Sequence, residues 1–127
     1  MVGSFTLGLK NTLTISHFQV YLHPRGELLE VTFGSNALRK AFEDSSQANR
    51  RWGAEVGRTY IQRVEALYAS ESFEVIRSIR AFRVHELHGE KKGEWSIHLT
   101  RRARLIVVPS RDQKSVVVQE VSQHYGD

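Results

Sequence analysis

The residues able to do chemistry are not spread evenly along the chain. Between Arg77 and Arg104 stand eight lysines and arginines against three glutamates, a local charge of +5 in a chain whose net charge is +4. His85, His88 and His98, three of the six histidines, fall in the same stretch, and His124-Tyr125 stands near the end of the chain. Concentrated positive charge is an electrostatic footprint for phosphate. Imidazole titrates near neutral pH, so these side chains can supply acid–base chemistry beside it. A solvated basic face has the same composition, and composition alone does not separate the two. Other chemistries are closed off. The 127 residues include no cysteine, which removes a disulfide framework and a thiolate zinc site. His85-Glu86-Leu87-His88 looks superficially like a zinc-protease box, but that motif needs two histidines four apart on one helical face. Here they are three apart in an expected strand, which sends them to opposite sides, and neither a metal nor another cofactor is expected.

The elements that must position these groups follow from periodicity. The chain is long enough for one domain, and 40% hydrophobic with 25% charged residues is an ordinary globular balance. No run of eighteen apolar residues is present, and Met1–Ile15 lacks the charge and apolar pattern of a signal peptide, so a cytoplasmic protein without a membrane span is expected. Leu13–Leu22 alternates between apolar and polar with a phase slip at His17-Phe18, a strand pattern with a bulge. His23-Pro24-Arg25-Gly26 is a turn, and Leu29, Val31 and Phe33 alternate again, so the two strands are expected to form an N-terminal hairpin. Gly34-Ser35-Asn36 offers a helix N-cap. A helix is expected over 37–47, its stripe marked by Leu38, Ala41 and Phe42, then a connection over Asn49–Gly53 with Trp52 capping the junction.

A second helix is expected over 54–69, where Val56, Tyr60, Val64, Leu67 and Tyr68 recur at helical spacing. Phe73–Ile79 adds a short helical turn. From Phe82 the period falls to two. Phe82 and Val84, then Trp95, Ile97 and Leu99, then 103–108 and 116–121 read as four strands, with a polar loop between Gly89 and Gly93 and turns at Thr100-Arg101-Arg102 and Pro109–Ser115. The expected fold is α+β: two N-terminal helices packed on a four-stranded antiparallel sheet, with an extra N-terminal strand or hairpin.

Five stretches in order resemble the HigB branch of the RelE/ParE toxin superfamily. Asn49-Arg50-Arg51-Trp52-Gly53 resembles the Q-R-R-W-G junction of one HigB-like group. Val84–Gly93 resembles that group's C-H-E-L-x-G-D-R-x-G, Trp95-Ser96-Ile97 its Y/W-S-I, Arg104-Leu105-Ile106 its W/Y-R-L-I, and Glu120–Tyr125 its terminal E-V-x-D-Y-H. The family's last pair is commonly Tyr-His, where this chain has His124-Tyr125. The resemblance covers residues 28–127 as a RelE/HigB-like toxin domain and leaves 1–27 as an N-terminal extension. It implies the RelE-like fold and the toxin of a type II toxin–antitoxin pair. Such a toxin cuts messenger RNA, typically on the ribosome, and is silenced by an antitoxin carrying a helix-turn-helix.

Cleaving RNA without a metal needs a base for the 2′-hydroxyl, cations for the charge developing on phosphorus, and an acid for the departing 5′-oxygen. The residues assigned to that chemistry are His85, Lys91, Arg104, His124 and Tyr125, the terminal pair expected to face His85 and Lys91 across a groove. Arg83, His88, Lys92, His98, Arg101 and Arg102 are assigned to RNA contact. Arg104 shares strand parity with Ile106 and Val108, so it needs either a structural carboxylate or a substrate phosphate, and phosphate is favoured. Two alternatives stand beside the nuclease: a ParE-like inhibitor of DNA gyrase, which needs no acid–base groups, and an RNA-binding module that has lost cleavage.

Overall fold

A computed structural model describes residues 27–124. The expected strand Leu13–Leu22, and with it the first half of the hairpin, lies outside the described residues, as does Tyr125. The described chain opens with strand β1 (Glu30–Phe33), then helices α1 (Asn36–Glu43), α2 (Ser45–Trp52), α3 (Ala54–Ala69) and α4 (Phe73–Arg77). A 3-10 turn at Arg80–Phe82 leads to β2 (His85–Glu86), and a second at Gly89–Lys91 leads to β3 (Trp95–His98), β4 (Arg104–Pro109) and β5 (Ser115–Ser122). The sheet order is β1-β5-β4-β3-β2. The expected antiparallel meander is present as β2 to β5, and β1 adds a fifth strand parallel to β5.

The helix expected over 37–47 is two helices. Ser35 caps α1 as expected, its Oγ accepting from the Leu38 amide at 3.2 Å. Asp44 then breaks the run. Its backbone is extended, its amide closes α1 on Lys40 O, and its carboxylate accepts from the Ser46 amide at 3.0 Å and hydroxyl at 2.7 Å. Asp44 therefore ends α1 and caps α2 at once. The Asn49–Gly53 segment, expected as a connection, is mostly the last turns of α2. Only Gly53 turns the corner, at φ +88°, where a side chain would be strained. α3 has the expected bounds.

The strand expected to carry Phe82 and Val84 starts later, because residues 80–82 coil and Arg83 adopts a left-handed backbone (φ 47°) that turns the chain into β2. His85 is consequently on an edge strand and His88 in the loop after it.

The core lies between the helices and one face of the sheet. Tyr60, Val64 and Leu67 of α3 and Phe73 and Ile76 of α4 meet Ile97, Leu105, Val107, Val116 and Val118, all essentially inaccessible to water. Burial of Tyr60 is made tolerable by its hydroxyl, which donates to Leu38 O at 2.7 Å. Leu99 is also buried. Trp95 is half-buried against the edge of Phe73, and Trp52 packs on Tyr60 at the helix junction, as its expected capping role requires.

Candidate active site

Residues opposed on paired strands share a face. The register therefore sorts the sheet. Ile97, Leu105 and Val107 face the helices. On the other face, one row runs His85–Ser96–Ile106–Glu120 across β2 to β5, and the next runs His98–Arg104–Ser122 across β3 to β5. His98 and Arg104 are directly opposed, a Cα separation of about 5 Å, and His85 is the diagonal neighbour of His98 at about 7–8 Å. Three residues singled out from sequence are thus gathered on one surface. Ser96 is fully buried and Ile106 only 4% exposed, so this surface is close-packed where the rows cross the middle of the sheet.

His98 is the most constrained member. Its Nδ1 is buried, and among the described residues no group hydrogen-bonds that atom or the buried Ser96 Oγ. Burial, then the positive charges of Arg104, Arg83 and Arg63, hold its imidazole below the usual histidine value. At neutral pH the ring is therefore neutral, ready to take a proton and not to give one.

Arg104 is anchored at the β3–β4 turn. Its Nη1 donates to Thr100 O at 2.6 Å and Ala103 O at 2.9 Å. The partner expected to be a carboxylate or a phosphate thus includes backbone carbonyls, which fix the guanidinium without neutralising it. Arg101 and Arg102 are exposed in the same turn. His85 is exposed, with Nδ1 3.3 Å from Arg83 O. His124 is exposed two residues beyond Ser122, the residue opposite Arg104. It therefore stands at the Arg104 end of the sheet.

Lys91 and Lys92 are not brought to that end. Their loop joins β2 to β3 and stands beyond Trp95, whereas Arg104 pairs with His98, the last residue of β3. The three steps from Trp95 to His98 alone span about 10 Å. For His124 this register corrects the expected meeting with Lys91 across a groove, whereas Tyr125 lies outside the described residues. His88, which precedes the 3-10 turn, is exposed on the same distant loop.

Four residues escaped the reading of the sequence. Ser96, Glu120 and Ser122 join the rows through strand parity with His98 and Arg104, which was legible once the strands were aligned. Arg63, on α3, donates from Nε to His98 O at 3.0 Å while its guanidinium lies 4.4 Å over the Phe82 ring. Nothing local marks it, because it sits between Tyr60 and Val64 as any flanking arginine does. Among the described residues no three His, Asp or Glu side chains gather as metal ligands. A cavity of about 630 Å³ lies elsewhere, beside β1 and α1, walled by Phe33, Phe42 and Tyr68 with Arg39 and Glu43 at its lining.

No family model matches the chain, and no curated protein does. Solved structures do. The chain is similar to the E. coli DinJ-YafQ toxin-antitoxin complex at 17% identity and a TM-score of 0.50, covering 76% of this chain and 92% of that one. It is also similar to a YoeB/ParE toxin from Agrobacterium tumefaciens at 15% identity and a TM-score of 0.48, over 76% of this chain and 100% of that one. The RelBE2 toxin-antitoxin complex from Mycobacterium tuberculosis matches at 16% and 0.46, over 76% and 99%. The α+β fold is thus the one seen in the E. coli DinJ-YafQ toxin-antitoxin complex.

Proposed function

We propose that the protein is the toxin of a type II toxin–antitoxin pair, a metal-independent endoribonuclease that cuts messenger RNA on the ribosome in the cytoplasm and is silenced by a helix-turn-helix antitoxin. The observation that carries this reading is the row His98–Arg104–Ser122, with His85 beside it and the charges of Arg104, Arg83 and Arg63 acting on His98. The ordered resemblance to HigB-like toxins supports it, and so does the fold.

The geometry suits in-line attack by a 2′-hydroxyl. His98, neutral, removes the proton as the 2′-oxygen bonds to phosphorus. Arg104 and Arg83 stabilise the charge gathering on the phosphoryl oxygens, and Arg104 does so from a position fixed by the turn carbonyls. The bond to the 5′-oxygen breaks, that oxygen takes a proton, and a 2′,3′-cyclic phosphate remains. The proton comes from the terminal pair, with Tyr125, aligned with the family's terminal histidine, placed ahead of His124. A tyrosine gives up its proton more readily beside a cation, and Arg104 is the cation at the end of the sheet where His124 stands. His85, exposed on the same face, is the second proton-transfer group. Arg101 and Arg102 hold RNA at the turn, while Lys91, Lys92 and His88 contact its backbone farther along.

The test is expression followed by mapping of mRNA ends, repeated with purified protein and programmed ribosomes. New mRNA ends that vanish in Tyr125→Phe are expected. If Tyr125→Phe cuts normally and His124→Ala is inactive, His124 holds the role. Intact mRNA with DNA damage and arrested replication would replace the nuclease with a gyrase inhibitor. RNA binding without cuts from the wild-type protein would leave the degenerate binding module.

A further inference from the structure

We infer that Arg63 is a positioning residue of this site, clamping the end of β3 that carries His98 and holding a fixed positive charge at the backbone of that residue. The inference rests on the nuclease reading for its catalytic consequence but not for its structural one. Arg63 comes from the helix layer, whereas His98, Arg104 and Arg83 come from the sheet and the segment entering it. Its two contacts restrain it in different directions. The Nε–H bond to His98 O fixes the guanidinium along the strand, and the Phe82 ring fixes its plane.

A lysine cannot reproduce this, because an ammonium has neither a plane to lay on the ring nor a fork to hold the carbonyl. Among the described residues no carboxylate pairs with Arg63, and burial disfavours its charge. A half-buried cation without a counter-ion is costly for a merely structural brace. Its charge is left to act on its neighbours, and the His98 imidazole is one that it disfavours when charged.

Beside burial, the charges that act on His98 are Arg104 from β4, Arg83 ahead of β2 and, least, Arg63 from α3, with His85 its diagonal neighbour on the sheet. All three are positive and all three disfavour the imidazolium. Arg63 differs from the other two in reaching the backbone of His98 itself. It therefore couples two properties that a nuclease base needs, a fixed backbone position and a contribution to the neutral resting state. The chemistry recognised by such a cluster is an RNA phosphodiester, whose charge offsets the arginines as His98 takes up the proton.

The experiment uses the full chain and two variants, Arg63→Met and Arg63→Lys. His98 is titrated by NMR of its imidazole carbon in the free protein, and RNA cleavage is measured separately as kcat and KM. Arg63→Met should raise the His98 midpoint. Arg63→Lys should keep most of the charge effect yet lower kcat by about 10-fold, with KM little changed, because a small misplacement of a catalytic group is costly. Unchanged titration in Arg63→Met, or full activity in Arg63→Lys, overturns the inference. If Arg63→Met does not fold, the Arg63→Lys pair of readouts decides alone: a lowered kcat with an unmoved titration supports the clamp, and unmoved values of both reject it. Should the wild-type protein cut no RNA, the nuclease reading fails, and the titration of Arg63→Met still decides whether Arg63 sets the state of His98.

Discussion

At the scale of single residues, Arg104 carries two loads that one substitution will not separate. It projects charge onto the face of the sheet away from the helices, and it ties Thr100 and Ala103 at the β3–β4 turn. Arg104→Ala should abolish cleavage, with losses of about 10²-fold or more typical for a transition-state donor, and should also lower stability by about 1–2 kcal/mol as the turn carbonyls lose their partner. Arg104→Lys keeps a cation without the planar fork. It should retain partial RNA binding with poor turnover, which binding and single-turnover assays will distinguish. His98 gives a pH signature. Its folded value lies below the unfolded 6.5, so the unfolded chain takes up the proton first. The folded state should therefore lose stability as pH falls from about 6.5 toward the folded value, by at most about 1.4 kcal/mol per pH unit, with no penalty above 6.5, where both forms are neutral. Urea midpoints at pH 7.5 and 5.5 should separate more in the wild type than in His98→Gln. Equal separations would mean that another group carries the effect. His98 was visible in the sequence as a basic-segment histidine, but not as the neutral one. That state comes first from burial and then from the charges of Arg104, Arg83 and, least, Arg63, the last thirty-five positions earlier in the chain, and no local pattern records such neighbours.

At the scale of elements, the contact between α2 and α3 sets how the helix layer meets the sheet. Gly57 stands where a Cβ would come within 2.5 Å of Asn49 Oδ1 and 3.0 Å of the Ala48 backbone. Gly57→Ala should therefore force the two helices apart and destabilise the fold by about 1–3 kcal/mol, despite alanine's better helix propensity. A thermal melt unchanged from wild type would show that Asn49 simply swings aside. The same elements show where periodicity is a sufficient guide. α3 was legible to its ends because one apolar stripe runs unbroken from Val56 to Leu67. The break at Asp44 was not, since Leu38, Ala41 and Ala48 keep helical spacing across it and only the Asp44-Ser45-Ser46 cap betrays the interruption. β2 was overextended for the opposite reason. Phe82 and Val84 alternate as a strand would, but the 3-10 turn and the left-handed Arg83 intervene. β1 read correctly as a strand, yet its partner β5 begins some eighty residues later, and parallel pairing over that distance leaves no local mark.

At the scale of the whole molecule, the +5 segment is not one patch. β3 divides it. Arg101, Arg102 and Arg104 stand at one end with Arg83 and Arg63, whereas Lys91 and Lys92 stand at the other, near Arg77, whose guanidinium lies 4.8 Å over the Trp95 ring. A single continuous RNA strand spanning both ends would meet a chemical group at one and solvated lysines at the other. The two ends should therefore fail differently when neutralised. Lys91→Ala combined with Lys92→Ala should weaken RNA binding and reduce the slope of log K against log salt by about 1.4, since each phosphate contact on a single strand contributes about 0.7. The cleavage rate at saturating RNA should stay near that of the wild type, because neither lysine reaches the His98–Arg104 row. The reverse is expected of Arg104→Lys, in which the saturating rate falls and the salt slope changes little. Binding measured over about 50–200 mM salt, together with saturating rates, checks both halves. A fall in the saturating rate of the double lysine variant equal to that of Arg104→Lys would mean that the β2–β3 loop folds over the open face when RNA is bound, and the division of the basic segment into an anchoring end and a reacting end would then be wrong.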